Sequence, residues 1–257
     1  MGFRTLMIFF SMAGLLFSGF DAHAHYGMII PSAQMITRPQ DGTVSLDLRF
    51  WHPMTGIGMS LAKPLKFQVK ERGKTIDLLG SLTPKMIGEN RTWQAQYTVK
   101  RPGLLVFTME PQPYWEAAED KYIIHYTKVV VTAFGNDQGW DEPVGLKTEI
   151  VPLTKPYGLY SGNVFQGRVL LDGNPVANAE VEVEFYNENG TYKAPNDYMI
   201  TQTIKADDNG VFTYGAPWAG WWGFAALNPG DETIKRGNQE KEVELGAVLW
   251  VEFLDMK

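Results

Sequence analysis

Apolar and polar residues alternate with a period of two along most of this chain, the signature of strands with one buried face. In "TVSLDLRFWHP", Val44, Leu46, Leu48, Phe50 and His52 fall on one face, and Pro53, which has no backbone donor, ends the run. The same pattern predicts strands over residues 65–71, 92–100, 103–110 and 122–133, with "ERGK" and "KRPG" as turns. In the last of these, Ile123, His125, Val129 and Val131 share a face, and Tyr122, Tyr126 and Lys128 lie on the other. Two histidines, His52 and His125, are therefore predicted on apolar faces, His52 at a rim.

Residues 134–156 break the alternation with several glycines and prolines before a short apolar strand, which predicts a junction between domains. Beyond it, "GNVFQGRVLLDGNPVANAEVEVEFYN" reads as two strands joined at the turn "DGNP". "TQTIKADDNGVFTYGAP" repeats the arrangement around "DDNG", and "GAVLWVEFLDM" supplies a last strand. The fold expected is all-β, with two β-sandwich domains over residues 25–156 and 157–257. The second stretch, with Gly167 to Val181 and Thr203 to Phe212 matching G-x-V-x-x-x-G-x-P-V-x-x-A-x-V and T-x-A-D-x-x-G-x-F, resembles the transthyretin-like (carboxypeptidase regulatory-like) sandwich. That resemblance implies a fold and no catalysis.

Ahead of both domains, residues 5–20 are almost wholly apolar, follow Arg4 and lead into Ala22-His23-Ala24. This is the layout of a secretory signal peptide over residues 1–24. A retained anchor is the alternative, although the run is shorter than the roughly 20 residues that span a bilayer. Cleavage after Ala24 would remove His23, make His25 the first residue and leave a soluble, exported, periplasmic protein.

Composition changes the picture in three ways. The 26 glycines and 15 prolines suit short strands and frequent turns. The absence of cysteine excludes disulfides, thiolate zinc sites and cysteine nucleophiles. The net charge of −6 argues against nucleic acid as a partner.

The candidate chemistry lies in the histidines that remain after cleavage: His25, His52 and His125, all in the first domain. A terminal histidine offers its α-amine and its ring Nδ1, which close a six-membered chelate on one metal ion. Both groups deprotonate near neutral pH, with reference values of roughly 7.7–8.0 and about 6.5. With His52 and His125 they make up to four nitrogen donors, a set suited to nickel, cobalt, copper or zinc. Each internal histidine taken alone also fits a capped strand end or a satisfied core position. Met28, Met54 and Met59 offer thioethers that would favour Cu(I), or they fill gaps in the core. Glu116, Glu119 and Asp120 offer oxygen ligands, or partners that fix a histidine tautomer. Trp218, Trp221, Trp222 and Phe224 suit either a sugar- or partner-binding platform or a packed core. "DDNG" lacks the spacing of a calcium loop, and no G-x-S-x-G, H-E-x-x-H or phosphate-binding glycine loop occurs, so neither a conventional hydrolase nor a kinase is expected.

The stretches "AHAHYGMIIPS", "FWHPMTGIGMSLAKP", "PYWEAAEDKYIIHYTKVVVTAFG", "GWDEPVGLKTEIVPLTKPYGLYSGNVFQGRVLLDGNPV" and "PWAGWWGFAAL" run nearly end to end. Through them the chain resembles a family of exported bacterial proteins known as the periplasmic component of cobalt or nickel uptake systems, and elsewhere as a domain of unknown function. The resemblance implies a metal-binding protein, not an enzyme, that captures Ni(II) or Co(II) and passes it to a membrane metal-transport complex of the energy-coupling type. Copper and zinc remain alternatives on the donor set alone. The competing readings are a structural or adhesive periplasmic module that binds carbohydrate or protein, and a copper-binding protein using the terminal-histidine chelate.

Overall fold

The computed structural model describes residues 25–256; the expected signal peptide lies outside the described residues. The first eleven strands are β1 Tyr26–Pro31, β2 Met35–Ile36, β3 Thr43–His52, β4 Ile57–Met59, β5 Lys66–Glu71, β6 Lys74–Asp77, β7 Thr83–Ile87, β8 Asn90–Thr98, β9 Gly103–Glu110, β10 Tyr114–Glu116 and β11 Lys121–Ala133. Eleven more follow: β12 Thr148–Pro152, β13 Leu159–Tyr160, β14 Val164–Leu171, β15 Asn174–Pro175, β16 Glu180–Phe185, β17 Gln202–Lys205, β18 Val211–Gly215, β19 Gly220–Pro229, β20 Ile234–Arg236, β21 Gln239–Lys241 and β22 Val243–Leu254. Among the described residues, helix occurs only as three-residue 3₁₀ turns. The chain is an all-β sandwich, as its alternation predicts.

Three sheets build the layers. One runs β1-β3-β8-β7 with β4 added to β3; a second, large sheet runs β17-β16-β19-β22-β11-β9-β5-β6; a third runs β12-β14-β15 with β18 on β14. The first sheet covers one part of the large sheet and the third covers another. Among the described residues two large apolar cores result, one around Leu46, Phe67, Phe107 and Trp250, the other around Phe165, Val181, Phe224 and Leu249, and a smaller cluster forms around Leu104, Val106, Val130 and Tyr157.

The last strand ties the halves together. β22 pairs in parallel with β11 from Tyr122↔Val243 to Val129↔Trp250, and antiparallel with β19 along its whole length. It is also buried on both faces, with Val248 and Trp250 in the first core and Ala247, Leu249, Val251 and Phe253 in the second. Burial on both sides accounts for the near-continuous apolar run "GAVLWVEF", since a strand covered on both faces has no solvent side to mark with polar residues. The large sheet therefore continues across residue 156, and β12, which precedes that position, pairs with β14 beyond it.

Most strand boundaries fall within a few residues of the sequence expectation, and β9 matches it end to end. The "DGNP" turn joins β14 to β15 with Asp172 at φ 50° and Gly173 at φ 76°. Lys128 lies on the face of β11 opposite His125, as the alternation places it; its side chain is 2% exposed and pairs at 2.7 Å with Glu149, itself 3% exposed. Glu149 comes from the stretch read as a junction and also accepts hydrogen bonds from the backbone amides of Val144 and Gly145. Burial alone would raise the Glu149 carboxyl, but the Lys128 ammonium and these amides outweigh it and hold the carboxyl below its usual range.

This pair gives a direct stability test. Glu149→Ala strands a buried ammonium and is expected to cost about 3–5 kcal/mol in denaturant unfolding, whereas the double replacement Lys128→Met with Glu149→Leu should lose less. Equal losses would mean that the buried charge is not the source of the effect.

Candidate functional site

His25 immediately precedes β1, and β1 pairs antiparallel with β3 so that Tyr26 faces Trp51. The register carries the start of β1 to the far end of β3, where His52 stands. The two histidine rings meet with centroids 4.3 Å apart. The His52 residue is 7% exposed and the His25 side chain 13%. Phe50 stacks on the His25 ring at 5.5 Å, and Tyr114 lies 5.6 Å from it, so the pair is largely screened from water.

Glu116, at the end of β10, places Oε2 3.2 Å from His25 Nε2. Its other oxygen accepts the backbone N–H of Ala118 at 2.9 Å, which fixes the carboxylate. A proton on Nε2 would be directed to Glu116, and in that tautomer Nδ1, the nitrogen nearer the main chain, would be the basic nitrogen of the ring.

His125 is placed differently. Its Nδ1 accepts the backbone N–H of Gly27 at 3.3 Å, and its Nε2 lies against Gly246, where an added Cβ would come within 2.7 Å of it. Nε2 is buried and has no hydrogen-bond partner. The ring sits 5.8 Å from Phe50, edge on, so Phe50 borders both His25 and His125. Burial, with a smaller contribution from His25, pushes the His125 imidazole down to about 3, so it is neutral near physiological pH.

Two glycines make this packing possible. A Cβ on Gly27 would stand 2.3 Å from the Thr127 hydroxyl and 3.1 Å from the His125 Cβ. One on Gly246, the strand neighbour of His125, would meet its ring carbon at 2.3 Å. The Trp250 indole completes the seat by donating to Gly27 O at 2.8 Å.

The remaining candidates are dispersed. Met28 is fully buried in the first core, Met59 packs against that core, and Met54 packs against the second. Glu119 and Asp120 are exposed and pair with Lys121 and Lys241 at 2.5 and 2.7 Å. The acidic residue at the histidines is thus Glu116, and β10 pairing back on β11 is what brings it there. Among the described residues no group of three or more His, Asp or Glu side chains forms a ready-made metal cage. His25 is the residue common to two contacts, with the His52 ring and with the Glu116 carboxylate. Trp221, Trp222 and Phe224 are buried, while Trp218 is 38% exposed and stacks on Tyr192.

The neutral His125 ring predicts a pH dependence. An unfolded chain takes a proton there as pH falls below the ordinary imidazole value of about 6.5, whereas the folded chain resists until about 3. The stabilising contribution is therefore complete above about 6.5 and is lost as pH falls through this window. Denaturant midpoints at about pH 7 and about pH 4 should diverge less in His125→Asn than in the parent protein.

Residues 22–230 match the family described as Domain of unknown function (DUF4198). No curated protein sequence matches the chain. Among solved structures, the D0-D1 domain of Intimin aligns with 90% of this chain and 100% of its own at 13% identity and a TM-score of 0.26. Trypsin-activated alpha-2-macroglobulin from Escherichia coli aligns with 90% of this chain but 16% of its own, at 8% identity and a TM-score of 0.23. The fibronectin(III)-like modules of Clostridium thermocellum CbhA align with 86% of this chain and 95% of their own, at 8% identity and a TM-score of 0.20. With most of its length matched by that one family, the chain belongs to DUF4198, the domain of unknown function.

Proposed function

We propose that this protein captures a transition-metal ion, Ni(II) or Co(II), in an exported compartment and hands it to a membrane transport complex. The observation that carries the reading is the His25–His52 ring pair, 4.3 Å apart, with Glu116 on the Nε2 side of His25. After cleavage behind Ala24, the His25 amine and Nδ1 would hold the ion as a chelate and His52 would add a third nitrogen. Glu116 would orient the His25 ring, the role that a carboxylate on the second nitrogen of a ligating histidine performs elsewhere. His125 would support the site from behind, because its Nδ1 is engaged by Gly27.

Such a donor set suits the residues present. Neutral imidazoles and an amine bind nickel, cobalt, copper and zinc, and intrinsic affinity favours copper, so delivery would decide the resident ion. The sequence resemblance to cobalt and nickel uptake components favours the first two. Binding and release require no turnover, and no nucleophile or acid–base pair is needed. A second reading, an adhesive module for carbohydrate or protein, has the exposed Tyr192, Tyr198 and Trp218 in its favour.

Calorimetric titration with Ni(II), Co(II), Cu(II) and Zn(II) separates these readings. A chain beginning at His25 should bind at least one ion with a Kd at least about tenfold lower, or about 1.4 kcal/mol better, than the same chain with one extra residue before His25. Equal affinity in the two chains rules out the terminal chelate. Binding to neither, together with tryptophan quenching by oligosaccharides, would favour the adhesive module.

A further inference from the structure

The turn that follows His52 is held from outside its own sheet. Pro53 O accepts the backbone N–H of Asn187 at 3.1 Å, and Met54 O accepts the Asn187 side-chain amide at 3.1 Å. Met54 N–H donates to Glu184 Oε2 at 3.3 Å. Proline has no N–H, so these three bonds take up the backbone donor and both carbonyls of residues 53 and 54. Their partners stand on β16 and just beyond it, at the edge of the second core.

Each partner is itself fixed. Asn187 is 7% exposed; its Oδ1 accepts Tyr192 N–H at 3.1 Å, and its Nδ2 also donates to Tyr192 O at 2.8 Å. Glu184 is 1% exposed, and its second oxygen meets the Thr201 hydroxyl. Burial pushes the Glu184 carboxyl up to about 8, so a neutral amide of the same shape can replace it near neutral pH. On the other side, the peptide chain runs directly from the clamped Pro53 into His52, whose carbonyl accepts Gly56 N–H at 2.9 Å to close the turn.

We infer that Glu184 and Asn187 are positioning residues for His52, so that the second core sets where the second histidine of the site stands. The consequence for metal affinity rests on the function proposed above. The consequence for the ring itself does not. A clamp of this kind restricts the backbone that carries His52, and loss of groups that orient a metal ligand typically costs 10–100-fold in affinity.

The test follows deuterium exchange at the imidazole C2 position of each histidine by mass spectrometry across pH in the metal-free protein, alongside Ni(II) titration. Asn187→Ala and Glu184→Ala should speed exchange at His52 and shift its pH midpoint while leaving His125 as an unchanged internal reference. Both should also weaken Ni(II) binding by about 10- to 100-fold. Glu184→Gln keeps the shape and an acceptor for Met54 N–H and should restore both readouts. Should either alanine variant fail to fold, Asn187→Asp, which keeps the acceptor for Tyr192 but loses the donor to Met54, is read by the same criterion. An unchanged exchange rate and midpoint at His52 overturns the inference, whereas altered exchange with unaltered Ni(II) affinity upholds the positioning role and overturns its consequence for metal binding. Failure of the parent protein to bind Ni(II) removes the metal reading alone, because the exchange comparison still decides the positioning role.

Discussion

The close approach of the β1 backbone to β11 is the constraint on which the rest of this molecule depends. It exists because Gly27 and Gly246 lack side chains where any Cβ would collide with Thr127 or the His125 ring. Two hydrogen bonds then fix it, from Gly27 N–H to His125 Nδ1 and from the Trp250 indole to Gly27 O. A buried strand that could not approach this closely would leave its polar groups unpaired, at a cost of roughly 1–3 kcal/mol each. The seat puts the chain just upstream of Tyr26 over the end of β3, and so the first histidine over the second.

The two cores cooperate in this placement. Trp250 comes from β22, a strand shared by both cores, while Glu184 and Asn187 reach across from the second core to the turn after His52. The half of the chain without histidines therefore governs the position of the histidines in the other half. The buried Lys128–Glu149 pair ties the intervening segment to β11 in the same region of the sheet. Geometry at the ring pair is a property of the whole sandwich rather than of one loop.

Much of the fold is legible in the sequence because period-two alternation reports burial directly. Val44 through His52 read correctly as an inward face, and His125 as buried. The burial of Lys128 is not legible in the alternation, which places it on the face opposite His125 but does not show that Glu149 from the junction segment covers that face. The pairing of β11 with β22 joins residues far apart in sequence, and no local pattern encodes it. For the same reason Glu116 could be named only as one of three acidic candidates: the β10–β11 hairpin that turns it toward His25 also turns Glu119 and Asp120 toward lysines. Gly27 and Gly246 carry a sequence signal, since a glycine within an apolar strand marks a close backbone approach, but not the identity of the neighbour.

The central claim, that His25 and His52 act together on one ion, is tested most directly by histidine-ring NMR of the chain beginning at His25. Substoichiometric Ni(II) or Co(II) is added and the paramagnetic effect on each C2 proton is followed. The account predicts that the His25 and His52 resonances are affected first and in parallel, with His125 following less strongly. Selective effects at other residues, or at His25 with His52 unaffected, would contradict it.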